Sequence, residues 1–211
     1  MKYQTYRSLI QELSEEEGVF TTAQAERFGI PRSALSYASS THMLERVAHG
    51  AYRLVGAQAG PLDGAKAAWS LTAPGKMTAE RMAAESWDGV AIGGSSAAAI
   101  RGLGDFHLTP LRVLSPVRFN SRRDGVCFGT RVIEREDVSF SEGFALTKPE
   151  RTMLDLILDK EDPSQIIAAL KDARGGHFDL RRFALLLGRE FGVEEGADLA
   201  ARFVIASEEG R

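Results

Sequence analysis

Four arginines cluster between positions 27 and 53: Arg27, Arg32, Arg46 and Arg53. Only one acid, Glu45, opposes them in that stretch, and His42 and His49 lie alongside. The local excess is about three positive charges. Guanidinium groups grouped in this way suit the phosphates of a nucleic-acid backbone, and one held at the right angle suits a guanine edge. Short-range hydroxyl donors stand among them: Thr21, Thr22, Ser33, Ser36 and Tyr37. The candidate DNA contacts are therefore Thr21, Thr22, Arg32, Ser33, Ser36, Tyr37, Arg46, His49 and Arg53.

Other chemistries are poorly supplied. A serine nucleophile on a strand–helix elbow needs Gly-x-Ser-x-Gly. Here Ala97 and Ala98 stand where the second glycine would follow Ser95 or Ser96, so Ser95 reads as a helix cap instead. Nucleotidyl transfer needs a Gly-Ser turn and then two carboxylates at alternate positions to hold metal. Gly94-Ser95 is followed by Asp105, but the second position holds His107, a poor partner for hard magnesium ions. Gly102-Leu103-Gly104 lacks the third glycine of a dinucleotide loop. The lone Cys127 and the scattered His42, His49, His107 and His177 give no zinc spacing. No enzyme activity, cofactor or metal is expected.

These side chains need elements to position them. Tyr6, Leu9, Ile10 and Leu13 share one face of a helix that Gly18 ends. Thr21 and Gln24 have the spacing of a capping box. The helix they open carries Ala25 and Phe28 inward and stops at Gly29. Pro31 suits the first turn of the next helix, with Ala34, Leu35 and Ala38 inward and Arg32, Ser33, Ser36, Tyr37 and Ser40 outward. Leu44, Val47, Tyr52 and Leu54 then flank a turn at Gly50, a hairpin. Helix, helix, short turn, helix, hairpin is the order of a winged helix-turn-helix, whose second motif helix lies in the major groove. Arg32 stands at the mouth of that helix and His49 at the hairpin tip. Tyr52 packs the hairpin onto the helices, and Arg53 has Glu45 or Glu26 as possible partners.

The chain has 211 residues, 44% hydrophobic and 26% charged, with net charge −3. It is long enough for a small domain plus a medium one. The expected division is residues 1–57, a linker over 58–65 rich in Gly, Ala and Pro, and a mixed α/β domain over 66–211 ending in a helical bundle. The fold class is thus α+β. In the second domain the patterns predict helices over 78–87 and 95–103, strands near 90–92, 111–114 and 126–134, and four later helices. Thr147-Lys148-Pro149-Glu150 has capping-box spacing for the first of these, and Arg151 and Asp155 are spaced for an intrahelical pair. No run approaches the roughly 18 apolar residues of a membrane span. With a single cysteine, a reducing, cytoplasmic location is expected.

Three segments resemble the AbiEi-like antitoxins of type IV toxin–antitoxin systems. They are Gly18-Val19-Phe20-Thr21-Thr22-Ala23-Gln24-Ala25 with Leu44 to Leu54, Gly94 to Gly104, and Phe144 to Leu156. The region from Val117 to Gly129 has no counterpart. The resemblance implies a regulator that binds inverted repeats of double-stranded DNA in its own promoter as an autorepressor. It also implies that the C-terminal domain neutralises a cognate nucleotidyltransferase-like toxin. The alternative on charge and order alone is a winged-helix protein-interaction module with no specific operator.

A second basic stretch runs from Arg101 to Arg135, with Arg101, Arg112, Arg118, Arg122, Arg123, Arg131 and Arg135 against Asp105, Asp124 and Glu134. The excess is about four charges. Three readings stand open: a second DNA-backbone contact, a dock for an acidic face of the toxin, or a solvated face. The candidate surface is Arg101, Arg112, Arg118, Arg122 and Arg123.

Overall fold

The computed structural model describes residues 2–57, 59–119 and 123–209. The chain forms two compact units, Met1–Val90 with Phe140–Ala145, and Ala91–Ser139 with Leu146–Arg211. Arg122 lies outside the described residues, as does Gln58 of the expected linker.

In the first unit α1 (Lys2–Glu17) leads through β1 (Val19–Thr21) to α2 (Thr22–Arg27). The capping box forms as expected. Thr21 Oγ1 accepts from the Gln24 amide at 3.1 Å, and Gln24 Oε1 accepts from the Thr21 amide at 2.7 Å. The turn after α2 closes because Gly29 has φ +86°. That conformation lets the Ile30 amide reach Ala25 O at 2.8 Å and the Gly29 amide reach Glu26 O at 3.1 Å, the paired bonds of a Schellman ending. Pro31 then stands at the cap of α3 (Arg32–Ser40), whose Ala34, Leu35 and Ala38 are buried.

Strands β2 (Leu44–Ala48) and β3 (Ala51–Leu54) form the hairpin, with Gly50 at φ +83° in its turn. All pairings are antiparallel, in the order β1-β3-β2. Ile10, Leu13, Phe20, Ala25, Ile30, Leu35 and Leu44 make one core beneath the three helices. Each of the Ile, Leu and Phe side chains contributes about 1.5–3 kcal/mol by leaving water. Tyr52 packs against this core, its ring 6.3 Å from that of Phe20. The order expected for a winged helix-turn-helix is present.

The first unit continues past the expected linker. Helix α4 (Asp63–Ser70) buries Ala67 against Val19 and Ala51 of the sheet. Its Trp69 is fully buried, donates from Nε1 to Val90 O at 2.9 Å, and carries the Arg81 guanidinium 3.6 Å above its ring. Arg81 ends a short helix α5 (Thr78–Met82), and a 3-10 turn at Ala84–Ser86 replaces the rest of the expected helix. Buried Lys66 donates to Thr78 Oγ1 and, at 2.6 Å, to Gly143 O of the returning segment 140–145. Phe140 stacks edge-on against both Trp69 and Trp87.

The second unit comprises β4 (Ala91–Ile92), α6 (Gly94–Arg101), β5 (Leu111–Ser115), β6 (Val126–Thr130), β7 (Val138–Ser139) and β8 (Leu146–Thr147). Four helices follow: α7 (Pro149–Leu158), α8 (Pro163–Arg174), α9 (Leu180–Phe191) and α10 (Val193–Glu209). The sheet order is β6-β5-β4-β8-β7, with β5–β6 and β4–β8 parallel and the other pairs antiparallel. Met153, Leu154, Ile166, Leu170, Phe183 and Leu187 form the core of the helical end. The molecule is an α+β protein.

Two local expectations fail here. The cap of α7 is Lys148, with no side-chain bond, and Thr147 lies in β8. Thr147 Oγ1 meets Thr152 Oγ1 at 2.8 Å, while Glu150 accepts from the Asp179 amide at 2.7 Å. Tertiary partners took both groups away from the capping box. Ser95 lies inside α6, whose cap is Gly93, and makes no cap bond. Its neighbour Ser96 is buried, accepts from the Arg112 amide at 2.7 Å and donates to Leu108 O. That geometry ties α6 to β5 and commits the Ser96 hydroxyl to backbone. Among the described residues no group of His, Cys, Asp or Glu could hold a metal, and no helix is long and apolar enough to cross a membrane.

Candidate nucleic-acid interface

Helix α3 stands out from the first unit because only one side of it is apolar. The cap at Pro31 and the αL residue His42 (φ 57°) that ends it fix its length and tilt. Arg32, Ser33, Ser36, Tyr37 and Ser40 are exposed. The hairpin turn at Gly50 lies close to the start of α2: the Thr22 amide donates to Gly50 O at 2.9 Å. Between α3 and the hairpin lies a cleft of about 310 Å³ lined by Thr22, Arg32, Leu35, Ser36, Arg46, His49, Gly50 and Tyr52. Five of the nine expected contacts thus meet in one place: Thr22, Arg32, Ser36, Arg46 and His49. The lining holds two arginines and a histidine and no carboxylate, so its field attracts an anion.

Two of these cations are held by neighbours. Arg32 Nε donates to Glu26 Oε1 at 2.6 Å, from the last turn of α2 across the Schellman loop. Arg46 Nη2 lies 2.5 Å from His49 Nδ1 across the hairpin. Arginine can only donate, so Nδ1 accepts and the ring carries its proton on Nε2. That N–H is the donor the imidazole has left for a ligand in the cleft. Glu26 was absent from the expected contacts. Its signal was a six-residue spacing across a turn, which no helix periodicity reports.

The other expected contacts separate. Ser33 lines a neighbouring groove with Glu26, Gly29 and Pro31. Tyr37, half exposed, lines an apolar groove with Tyr6, Ile10, Met43 and Leu54 on the far side of α3. Two residues must be withdrawn from the surface. Thr21 is fully buried, its hydroxyl committed to the capping box and to Pro74 O. Arg53 is buried to 8% exposure, paired with its cross-strand neighbour Glu45 and with Asp63 of α4 at 3.3 Å. It fastens α4 to the hairpin. Arg27 is also spoken for, with both guanidinium nitrogens 2.7 Å from the two oxygens of Glu80. Of the four arginines counted along the chain, Arg27, Arg32 and Arg53 each have a carboxylate partner, and Arg46 has His49.

Three described arginines of the second basic stretch, Arg101, Arg112 and Arg131, are engaged within its own unit. Arg101 donates to Thr147 O at 2.7 Å and to Ser139 Oγ at 2.8 Å. Arg112 pairs with Asp159 at 2.5 Å, Arg131 with Asp159 at 2.6 Å and Asp155 at 3.2 Å, and Arg151 with Asp155 at 2.9 Å. Asp155 is fully buried, and burial pushes its carboxyl up against the pull of Arg151 and Arg131. Arg112 and Arg131 thus tie β5 and the end of β6 to α7, and Arg101 ties α6 to β7 and β8. Arg118 is exposed and Arg123 partly so. The intrahelical Arg151–Asp155 pair is present as expected.

Residues 7–55 match the family model described as "Transcriptional regulator, AbiEi antitoxin". Over that stretch the chain is similar to the family its motifs resemble, and the match spans α1 to the end of the hairpin. No curated protein matches the chain. Among solved structures, the crystal structure of the RV2827C protein from Mycobacterium tuberculosis is similar in fold, with TM-score 0.54 and 13% identity. The likeness covers 96% of this chain and 81% of that one.

Proposed function

We propose that this chain is a transcriptional autorepressor and antitoxin. Its first unit binds double-stranded DNA at inverted repeats of its own promoter, in the cytoplasm. Its second unit binds and neutralises a nucleotidyltransferase-like toxin, and the chain itself catalyses no reaction. The observation that carries the DNA half is the cleft between α3 and the hairpin, where Arg32, Arg46 and His49 converge without a carboxylate in the lining. The family described over residues 7–55 supports the regulatory reading. The antitoxin half rests on that family alone.

In this reading α3 lies in the major groove, with Ser33 and Ser36 near base edges, while the hairpin rests on the backbone. Its test is a gel shift with DNA from upstream of the chain's own gene. Specific retention that weakens steeply with salt is expected, since phosphate contacts release counterions. Equal retention of unrelated DNA, or none at all, would leave a protein-interaction module instead. Rescue of cells from a neighbouring nucleotidyltransferase-like gene product tests the antitoxin half.

A further inference from the structure

The cleft's polar groups face one another in a way suited to a single anion. Arg46 on β2 and His49 at the hairpin turn share one hydrogen bond at 2.5 Å. Arg32 on α3 faces them, with Ser36 of the same helix and Thr22 of α2. Tyr52 of β3 lines the floor. Of the nearest carboxylates, Glu45 is engaged elsewhere with Arg53, while Glu26 holds Arg32 from outside the lining and leaves Arg46 and His49 as the cleft's groups without a carboxylate partner. As long as Nδ1 accepts from Arg46, the imidazole stays neutral. An incoming phosphate oxygen offers Arg46 a better acceptor, because a bond between two charged groups is about twice as strong as a neutral one. Nδ1 is then released, and a second phosphate oxygen favours its protonated form.

We propose that this cleft is a proton-linked phosphate clasp: a phosphodiester takes Arg46 from His49, and His49 binds one proton from solvent and grips the same group. The ligand class is a phosphate monoanion or diester, and its source in the cell is the DNA backbone. The inference rests on the DNA-binding reading and adds to it a pH dependence of known sign. Histidine changes charge between about pH 5 and 8, so binding tightens as pH falls through that range.

The test has two arms on the full chain. In the first, the His49 ring signals are followed by NMR against pH, with and without inorganic phosphate. Phosphate should move the titration midpoint upward, because it binds the protonated ring more tightly; an unmoved midpoint overturns the clasp. In the second, the affinity for a duplex is measured between about pH 5.5 and 8. About tenfold tighter binding at the acid end is expected, and His49→Gln should abolish that dependence on pH. A His49→Gln variant that keeps the parent's pH profile, or a parent whose affinity falls in acid, overturns it. Phosphate needs no operator, so loss of the DNA arm with the phosphate arm intact would refute the operator reading and not the clasp.

Discussion

Arg32 Nε and Glu26 Oε1 lie 2.6 Å apart, one at the mouth of α3 and the other in the last turn of α2. The pair sits on the surface, with the arginine side chain 76% exposed, and an exposed pair stabilises the fold by no more than about 1 kcal/mol. Its effect on binding is larger, because the carboxylate competes with DNA for the guanidinium. Glu26→Gln should leave stability within about 0.5 kcal/mol and tighten DNA binding severalfold. Arg32→Ala should cost about 1–3 kcal/mol of binding and relax preference at one base position. Competition binding across a panel of single-base operator variants reads both. Parental behaviour in both variants would remove α3 from the groove.

Arg46 makes a different prediction. It lies on the hairpin, which in the proposed reading rests on the DNA backbone. Arg46→Ala should weaken every duplex alike and lower the slope of log affinity against log salt by about one. Fluorescence anisotropy at several salt concentrations measures the slope. Loss confined to the operator would move Arg46 to a base edge.

Lys66 predicts a pH effect on folding. Burial pushes its ammonium down to about 8, against the pull of Glu17 and with the repulsion of Arg81. Above that value the folded chain sheds a proton that the unfolded chain keeps to about 10.4. The unfolded state binds more protons in this window, so stability rises with pH from about 8 upward. Below about 8 the cost of burying the charge is present in full. Relative to Lys66→Met, the parent should gain on the order of 3 kcal/mol between about pH 7 and 10.5. Denaturant unfolding of both proteins across that range measures the gain, and a flat difference contradicts the assignment.

Asp155 carries the ion pairs of Arg151 and Arg131 with no exposed surface of its own. Removing it strands the buried Arg151 guanidinium without a carboxylate, while Arg131 keeps Asp159 at 2.6 Å. Asp155→Ala should destabilise the second unit by about 3–5 kcal/mol. Combining it with Arg151→Leu should recover part of that loss, because one stranded charge goes with it. Thermal melts of the single and double variants test the coupling; strict additivity would mean that the residues act separately.

Local signals carried the first half of the site. The Thr21–Gln24 box, the Gly29 turn, Pro31 and the Gly50 hairpin all depend on neighbours within a few residues, and each was readable in order. Burial was not. Thr21 and Arg53 have the same residue types as surface contacts, and only α4, arriving from Asp63, turns Arg53 inward. That helix was invisible because Gly56 to Gly64 reads as a linker and Ala65 to Ser70 is buried throughout, without a polar face to set a period. The pairing of Arg112 and Arg131 was out of reach for a related reason. Their partners Asp155 and Asp159 lie about 25–45 residues further along, a separation that local charge counting does not span. At Thr147 and Glu150 the right spacing was present, and longer-range hydrogen bonds overrode it.

The segment Phe140–Ala145 gives the first unit a late deadline. Gly143 supplies the acceptor for Lys66, and Phe140 the edge against Trp69 and Trp87. During synthesis the helices and hairpin emerge first, but the pocket around Lys66 and Trp69 waits until some fifty further residues have left the ribosome. A gene fragment cut after the hairpin, or even after Val90, would yield a reading head with an open seam.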